Sequence, residues 1–504
     1  MKSAFRCLTM INITNKIIRK QKNFWNNCIF HPTDAIEDPW GRRILDRIAD
    51  DGAIDTLRIY AMLEDIVYLG ENGEIKYDFR LSDTRLDYLV EKGYNLLIAY
   101  GGIPDCIAKS SDNKTSVSKN KTRYKGKMWN SMPPKDYSLW ENVCYEYTKH
   151  IVERYGIEVV SKWYLHCFNE PDIPAFFLSN LPNGKEGIEA RLCAYCPMYE
   201  GFAKGVLKAD ERLRIGGPAL AGRCEFLKGF LEFVKQKNIR IDYIALHNYG
   251  TSPELLLNGT RPYDVENNME NHLLYLDVIK KAGFSDREIV VDEWGMASHG
   301  FWNVEECPPF IARENEVYSA YYTKLISKFI EVDPKLSKLM ICLSGQHEMT
   351  EDFSGFRNFF TLNHFAKPIY NAHYMASKLE NNLIEYRADN ENLAVIPTKS
   401  DEGEYAVMIS YSSKNFEENI PECEEYVTFD EHLFGRRLLV FLIDKKTTNP
   451  YRLAEKMGVW YPDEEQKKIL REEGRLKAII DEKYDGKLIK IKLTPNSTYL
   501  IQVV

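Results

Sequence analysis

Several things are missing from these 504 residues. Neither G-x-G-x-x-G nor G-x-x-x-x-G-K-[ST] occurs, so the chain has no glycine-rich phosphate loop. There is no basic surplus. Lys and Arg number 66 against 74 Asp and Glu, a net charge of −8. A nucleic-acid partner gripped through its phosphates is therefore excluded as the main reading. No apolar run nears the roughly 20 residues that span a bilayer, so no membrane partner is expected. The eleven cysteines are odd in number and scattered. Cys193 and Cys196 form the only C-x-x-C, with no second pair at zinc-site spacing, so no metal and no other cofactor is expected. A chain this long buries a core without disulfides, and its thiols read as free in a reducing, cytoplasmic compartment. Lys2 and Arg6 precede an apolar run broken by Asn12, Asn15 and Lys16, a poor secretory signal.

What is present is an ordinary globular balance, 44% hydrophobic and 28% charged, with a high aromatic share of 12%. Short apolar runs alternate with amphipathic stretches over residues 26–381. The strand candidates are Asn27–His31, Thr56–Met62, Asn95–Gly101, Lys162–Asn169, Leu213–Pro218, Tyr243–Asn248, Glu288–Glu293 and Lys338–Ser344. Eight strands with helices between them in about 350 residues is the count for an α/β (β/α)8 barrel. The rival doubly wound sheet would carry the missing phosphate loop. Residues 382–504 read differently. Leu393–Pro397, Glu404–Tyr411, Glu425–Phe429, Arg437–Asp444, Leu488–Leu493 and Thr498–Val503 are strand candidates, and Asp463–Glu473 is the helical stretch between them. They form a β-rich, sandwich-like accessory domain, to which residues 1–25 could add a strand. Lys109–Lys127 is a polar loop after the third strand, on the face where barrels build their sites.

Two carboxylates end apolar strands. Lys162–Cys167 runs into Phe168-Asn169-Glu170-Pro171, and Pro171 stops the strand. Ile289-Val290-Val291 runs into Asp292-Glu293-Trp294. These are barrel strands four and seven. Two acids converging on one barrel mouth can divide proton donation from nucleophilic attack, as glycoside cleavage requires.

In these motifs the chain resembles glycoside hydrolase family 39, nearest to its β-xylosidases. Val160-Ser161-Lys162-Trp163 with Asn169-Glu170-Pro171-Asp172 is similar to the family's acid/base segment. Arg214–Pro218 and Ile241–His247 resemble its fifth and sixth strands, and Tyr124-Lys125-Gly126 with Pro133–Tyr137 its loop after strand three. Asn449-Pro450-Tyr451 and Met457-Gly458 resemble the xylosidase tail. The resemblance implies a retaining exo-glycosidase acting on a small carbohydrate, with Glu170 as acid/base and Glu293 as nucleophile. It implies Asn169 as partner of the sugar 2-hydroxyl, and His247 and Tyr249 beside the nucleophile. Trp294 and Phe360 are candidate stacking faces that could equally be barrel packing. Tyr60 stands where xylosidases tend to have His, and Phe168 where many relatives have Trp. Glu348, in Gly345-Gln346-His347-Glu348, belongs to the expected substrate wall after strand eight. The family also holds α-L-iduronidases. Tyr249 lacks the charge a uronate needs at strand six, which favours a neutral pentose, while Arg357 and Lys367 keep a uronate open. An arabinosidase and a non-catalytic carbohydrate-binding barrel are the remaining alternatives, and the chain could form a homo-oligomer.

Overall fold

The computed structural model of the protein describes residues 10–30, 36, 38–115, 128–344 and 349–504. Eight parallel strands close into a barrel in chain order: Asn27–Phe30, Thr56–Tyr60, Asn95–Tyr100, Tyr164–Cys167, Arg214–Leu220, Tyr243–Thr251, Glu288–Ala297 and Leu336–Leu343. All eight expected strands are there, and their lengths differ at the site end. Strand four stops at Cys167 because Phe168 and Glu170 turn into left-handed backbone, with φ of 65° and 46°. Strands six and seven run further than expected. They stay paired from Tyr243 with Glu288 out to Thr251 with Ala297, across a register shift at Leu246/His247 that sets His247 opposite Glu293.

Strand alternation places every second side chain inside the barrel. Leu97, Tyr164, Tyr243, Ala245, Val290 and Met340 fill the lower layers. Above them lie Arg58, His166 and Asp292, each completely buried. The helices pack outside. Tyr137–Tyr155, capped by Asp136, lies against Lys185–Ala209. Gly205 sits where any side chain would overlap the carbonyl of Glu141, so the close approach of these helices depends on glycine.

The second layer is a nine-stranded sheet. Met10–Lys20 pairs antiparallel with Asn382–Arg387 and parallel with Cys423–Phe429. Two of its strands, Asn382–Arg387 and Ala478–Lys483, had no sequence signal. Ala478–Lys483 is an edge strand whose exposed Asp481, Glu482 and Lys483 blur the alternation. Ile11, Ile384, Val407, Val440 and Ile501 form the sheet's own core. The sheet region is tied to the barrel by Glu316, fully buried, which accepts from Arg452 at 2.7 Å and from Asn449 at 2.8 Å. Among the described residues no helix is long and apolar enough to cross a membrane.

Candidate active site

The site lies at the C-terminal ends of the barrel strands. Glu170 is held there by its backbone. Its N–H donates to Ala219 O, and Phe168 N–H to Tyr100 O, both at 2.8 Å. Asp172 is buried and accepts the N–H groups of Ala221, Gly222 and Arg223 at 2.8–3.0 Å. It clamps the loop after strand five onto the loop that carries Glu170. The left-handed turns at Phe168 and Glu170 are costly for non-glycine residues and persist because these bonds over-determine them.

Glu293 is gripped from two sides. Its Oε1 accepts from Arg58 Nη1 and its Oε2 from the Tyr249 hydroxyl, each at 2.7 Å. His247 stands between the acids, with Nδ1 2.7 Å from Glu170 Oε1 and 3.5 Å from Glu293 Oε2. Its Nε2 faces Asp292 Oδ1 at 3.7 Å, and Asp292 Oδ2 lies 3.2 Å from Arg58 Nε. A carboxylate oxygen of Glu170, a carboxylate oxygen of Glu293 and a His247 nitrogen all fall within 4.8 Å of one another. These three side chains are the donor group that could hold a metal ion among the described residues. The guanidinium groups of Arg58 and Arg357 oppose a further cation at that spot.

The environments push the two carboxyls apart. Burial raises the Glu170 carboxyl above its usual range, and the charges of Glu293 and Asp172 add to this. His247 opposes without cancelling it. Burial acts the same way on Glu293, but the charges of His247 and Arg58, the Tyr249 hydrogen bond and the charge of Arg357 outweigh it and hold the carboxyl well below its usual range. His247 is raised to about 10: desolvation opposes its charge, and Glu293 and Asp292 prevail. His166, equally buried beside Arg58, is lowered to about 3 and stays neutral.

Asn169 Oδ1 accepts from Arg58 Nη2 at 2.6 Å, which leaves its buried Nδ2 without a partner. That group is a donor ready for a ligand oxygen. A pocket of about 480 Å³ opens over both acids. Tyr249, Cys342, Ser344 and Arg357 line its buried end, and Ile173, Phe176, Phe301 and Trp302 line its half-exposed end. The Arg357 guanidinium sits 4.8 Å from the Tyr249 ring, donates to Ser344 Oγ at 3.2 Å and keeps a buried Nη1 without a partner.

The structure thus brings together Glu170, Glu293, Asn169, His247 and Tyr249, and Tyr60 lines a side pocket beside Asn169. Trp294 and Phe360 are elsewhere, and their sugar-stacking role is corrected. Trp294 is fully buried and stacks on Tyr322 with ring centres 5.5 Å apart. Phe360 packs on Tyr370 at 4.5 Å. Both belong to the packing between barrel and helices. Lys367 is spent on Glu314, 2.6 Å away inside the protein. Glu348 and most of the polar loop, residues 116–127, lie outside the described residues. Sequence reasoning passed over Arg58, Asp292 and His166. The signal was there for Arg58, a lone charge inside the apolar strand Thr56-Leu57-Arg58-Ile59-Tyr60, which demands a buried partner.

Two neighbouring acids at one barrel mouth, their acidities displaced in opposite directions, define a carboxylate-pair barrel, the architecture suited to acid/base and nucleophilic chemistry in one pocket. The model of glycosyl hydrolases family 39 matches residues 9–485, and the chain belongs to that family. It is 28% identical over 241 residues to a beta-xylosidase of Caldicellulosiruptor saccharolyticus, covering 47% of this chain and 45% of that protein. It is 23% identical over 268 residues to the alpha-L-iduronidase of Canis lupus familiaris, covering 48% of this chain and 36% of that one. The chain spans less than half the length of these curated relatives. In fold it is similar to a monomeric beta-xylosidase from Caulobacter crescentus CB15, with a TM-score of 0.81 and 18% identity over 98% of this chain and 99% of the other.

Proposed function

We propose that the protein is a retaining, exo-acting glycoside hydrolase that releases xylose from the end of short β-xylosides. The observation that carries this reading is the pair Glu170 and Glu293, with oxygens within 4.8 Å and opposite displacements of their acidity. Retaining pairs stand about 5–5.5 Å apart, and inverting pairs leave about 6.5–9.5 Å for a water. Glu293, ionised, attacks the anomeric carbon while Glu170, protonated, gives its proton to the leaving oxygen. Formation of the glycosyl ester removes the Glu293 charge. That charge is one of the causes that raise Glu170. Glu170 then becomes the stronger acid, ionises and serves as base for the incoming water. Asn169 Nδ2 donates to the sugar 2-hydroxyl. The buried end of the pocket takes the terminal sugar, which favours exo action. Residues 26–381 act as the catalytic unit and 382–504 as the accessory unit, joined by the N-terminal strand. The ten free cysteines among the described residues favour a cytoplasmic enzyme.

The test is hydrolysis of aryl β-xylosides, with the first-formed anomer of xylose followed by NMR. β-Xylose from the β-substrate is expected. α-Xylose would remove the nucleophile from Glu293. Inertness toward a broad sugar panel, with oligosaccharide still bound, would favour the non-catalytic barrel. Arg357 favours a second reading, a uronoside, because its unpartnered Nη1 offers a charged donor inside the pocket. The Arg357→Gln variant separates the two. On a uronoside it lowers kcat/KM by about 30-fold or more, the loss of one partner from a buried charge pair. On a xyloside the loss is smaller, limited to the share of the Arg357 charge in holding Glu293 ionised.

A further inference from the structure

The two ends of the pocket differ in chemistry. The buried end presents Glu293, Tyr249, Ser344 and Arg357. The half-exposed end, which adjoins Glu170, presents Ile173, Ala175, Phe176, Ala221, Phe301 and Trp302. Ile173, Ala175 and Phe176 follow Glu170 closely in the chain and line the same pocket as its carboxyl. Polar side chains of this wall are turned to protein partners. Thr115 Oγ1 donates to Ala175 O at 2.9 Å, and Ser298 Oγ lies 2.9 Å from His299 Nδ1. The His299 ring meets the Trp302 ring edge-on at 5.1 Å. A second sugar would bring hydroxyls that need partners, and desolvating them without replacement is costly. A flat apolar group would instead gain contact with Phe176, Phe301 and Trp302.

We propose that this wall is a leaving-group site for an apolar, aromatic aglycone, so that the substrates are aryl or arylalkyl glycosides rather than oligosaccharides. The inference rests on the retaining reading above and names the other half of its substrate. It makes the same selection in the second step. There the bond between the anomeric carbon and the Glu293 carboxylate breaks, the bond to an acceptor oxygen forms, and the acceptor's proton passes to Glu170.

Acceptor partitioning tests it without interference from leaving-group acidity. The glycosyl-enzyme is loaded from a glycosyl fluoride, and equal concentrations of benzyl alcohol and xylose compete for it. Benzyl glycoside is expected to exceed the disaccharide by about tenfold, the scale of a small apolar group filling a matching site. Phe176→Ala should pull the ratio toward unity. Because both products arise from one glycosyl-enzyme, a poorly folded variant loses both together and leaves the ratio intact. Xylose capture equal to or above benzyl capture overturns the proposal. If no fluoride of the xylose, arabinose or glucuronate series is turned over, the functional reading fails instead. The wall is then read by binding alone. Saturable quenching of tryptophan fluorescence by 2-naphthol, lost in Phe176→Ala, supports it, and no saturable binding overturns it.

Discussion

Removing the Tyr249 hydroxyl is the most direct perturbation of Glu293, the proposed nucleophile. In Tyr249→Phe the ring stays under the Arg357 guanidinium, 4.8 Å away, so the pocket wall is kept. What goes is the hydrogen bond of 2.7 Å to Glu293 Oε2, together with the hydroxyl's contact with the Cys342 thiol. A hydrogen bond to a charged group contributes about 1.5–3 kcal/mol. At about 1.36 kcal/mol per pH unit, its loss makes the Glu293 carboxyl a weaker acid by about one to two pH units. Arg58 and His247 remain, so the carboxyl stays below where burial alone would put it. The assay is kcat/KM for an aryl xyloside against pH. Its acidic limb reports ionisation of the nucleophile and its alkaline limb the proton on Glu170. The acidic limb should move up by at least about one pH unit while the alkaline limb holds. At a fixed pH on that limb, activity then falls about tenfold for each pH unit that the limb has moved. An unmoved acidic limb, or movement of the alkaline limb alone, would refute the assignment of Glu293 and its gating by Tyr249.

Arg58→Met leaves Asp292 and Glu293 buried without their guanidinium. About 3–5 kcal/mol of stability should go, read as a lower denaturant midpoint with an unchanged slope. Gly300→Ala places a Cβ on top of Ser344 Oγ and the Arg357 guanidinium, so catalysis should collapse while the unfolding midpoint shifts far less than for Arg58→Met. His247 is charged in the folded protein up to about pH 10 and in the unfolded chain only below about 6.5. Its contribution to stability is whole below about 6.5 and is lost as pH rises toward 10. Stability measured from pH 6 to 10 should therefore decline more steeply in wild type than in His247→Asn.

The strands were legible because the barrel is patterned in short apolar runs, although strand seven continues past the end of its run at Asp292 to Ala297. The acids were legible because each closes such a run. Their partners were not, because what binds Glu293 comes from other strands. Arg58 lies 235 residues before it and Tyr249 44 residues before it, and no local pattern joins them. Trp294 misled for a related reason. Residues 293 and 294 are neighbours in sequence, but alternation sends them to opposite sides of strand seven, so the acid faces the pocket and the indole the helix layer. The edge strand Ala478–Lys483 escaped because charge protects an unpaired edge and erases the period of two.

The buried cluster also shows why the acidities of its two facing acids are displaced in opposite directions. With Glu170 neutral, as the retaining reading requires, Asp292 and Glu293 would carry two negative charges against the three positive charges of Arg58, His247 and Arg357. Three negatives would balance the three cations, yet the Glu170 carboxyl is still raised above its usual range. Distance decides this. Arg58 and Tyr249 bind Glu293 directly, whereas among the described residues Glu170 pairs with His247, and His247 is shared with Glu293 and Asp292. A shared imidazolium cannot repay the desolvation of a third carboxylate. In the retaining reading, once Glu293 becomes an ester, His247 no longer divides its charge with the nucleophile and can serve Glu170. On that reading the imidazolium passes from one acid to the other without moving, and the acid that gave the proton becomes the base that takes one.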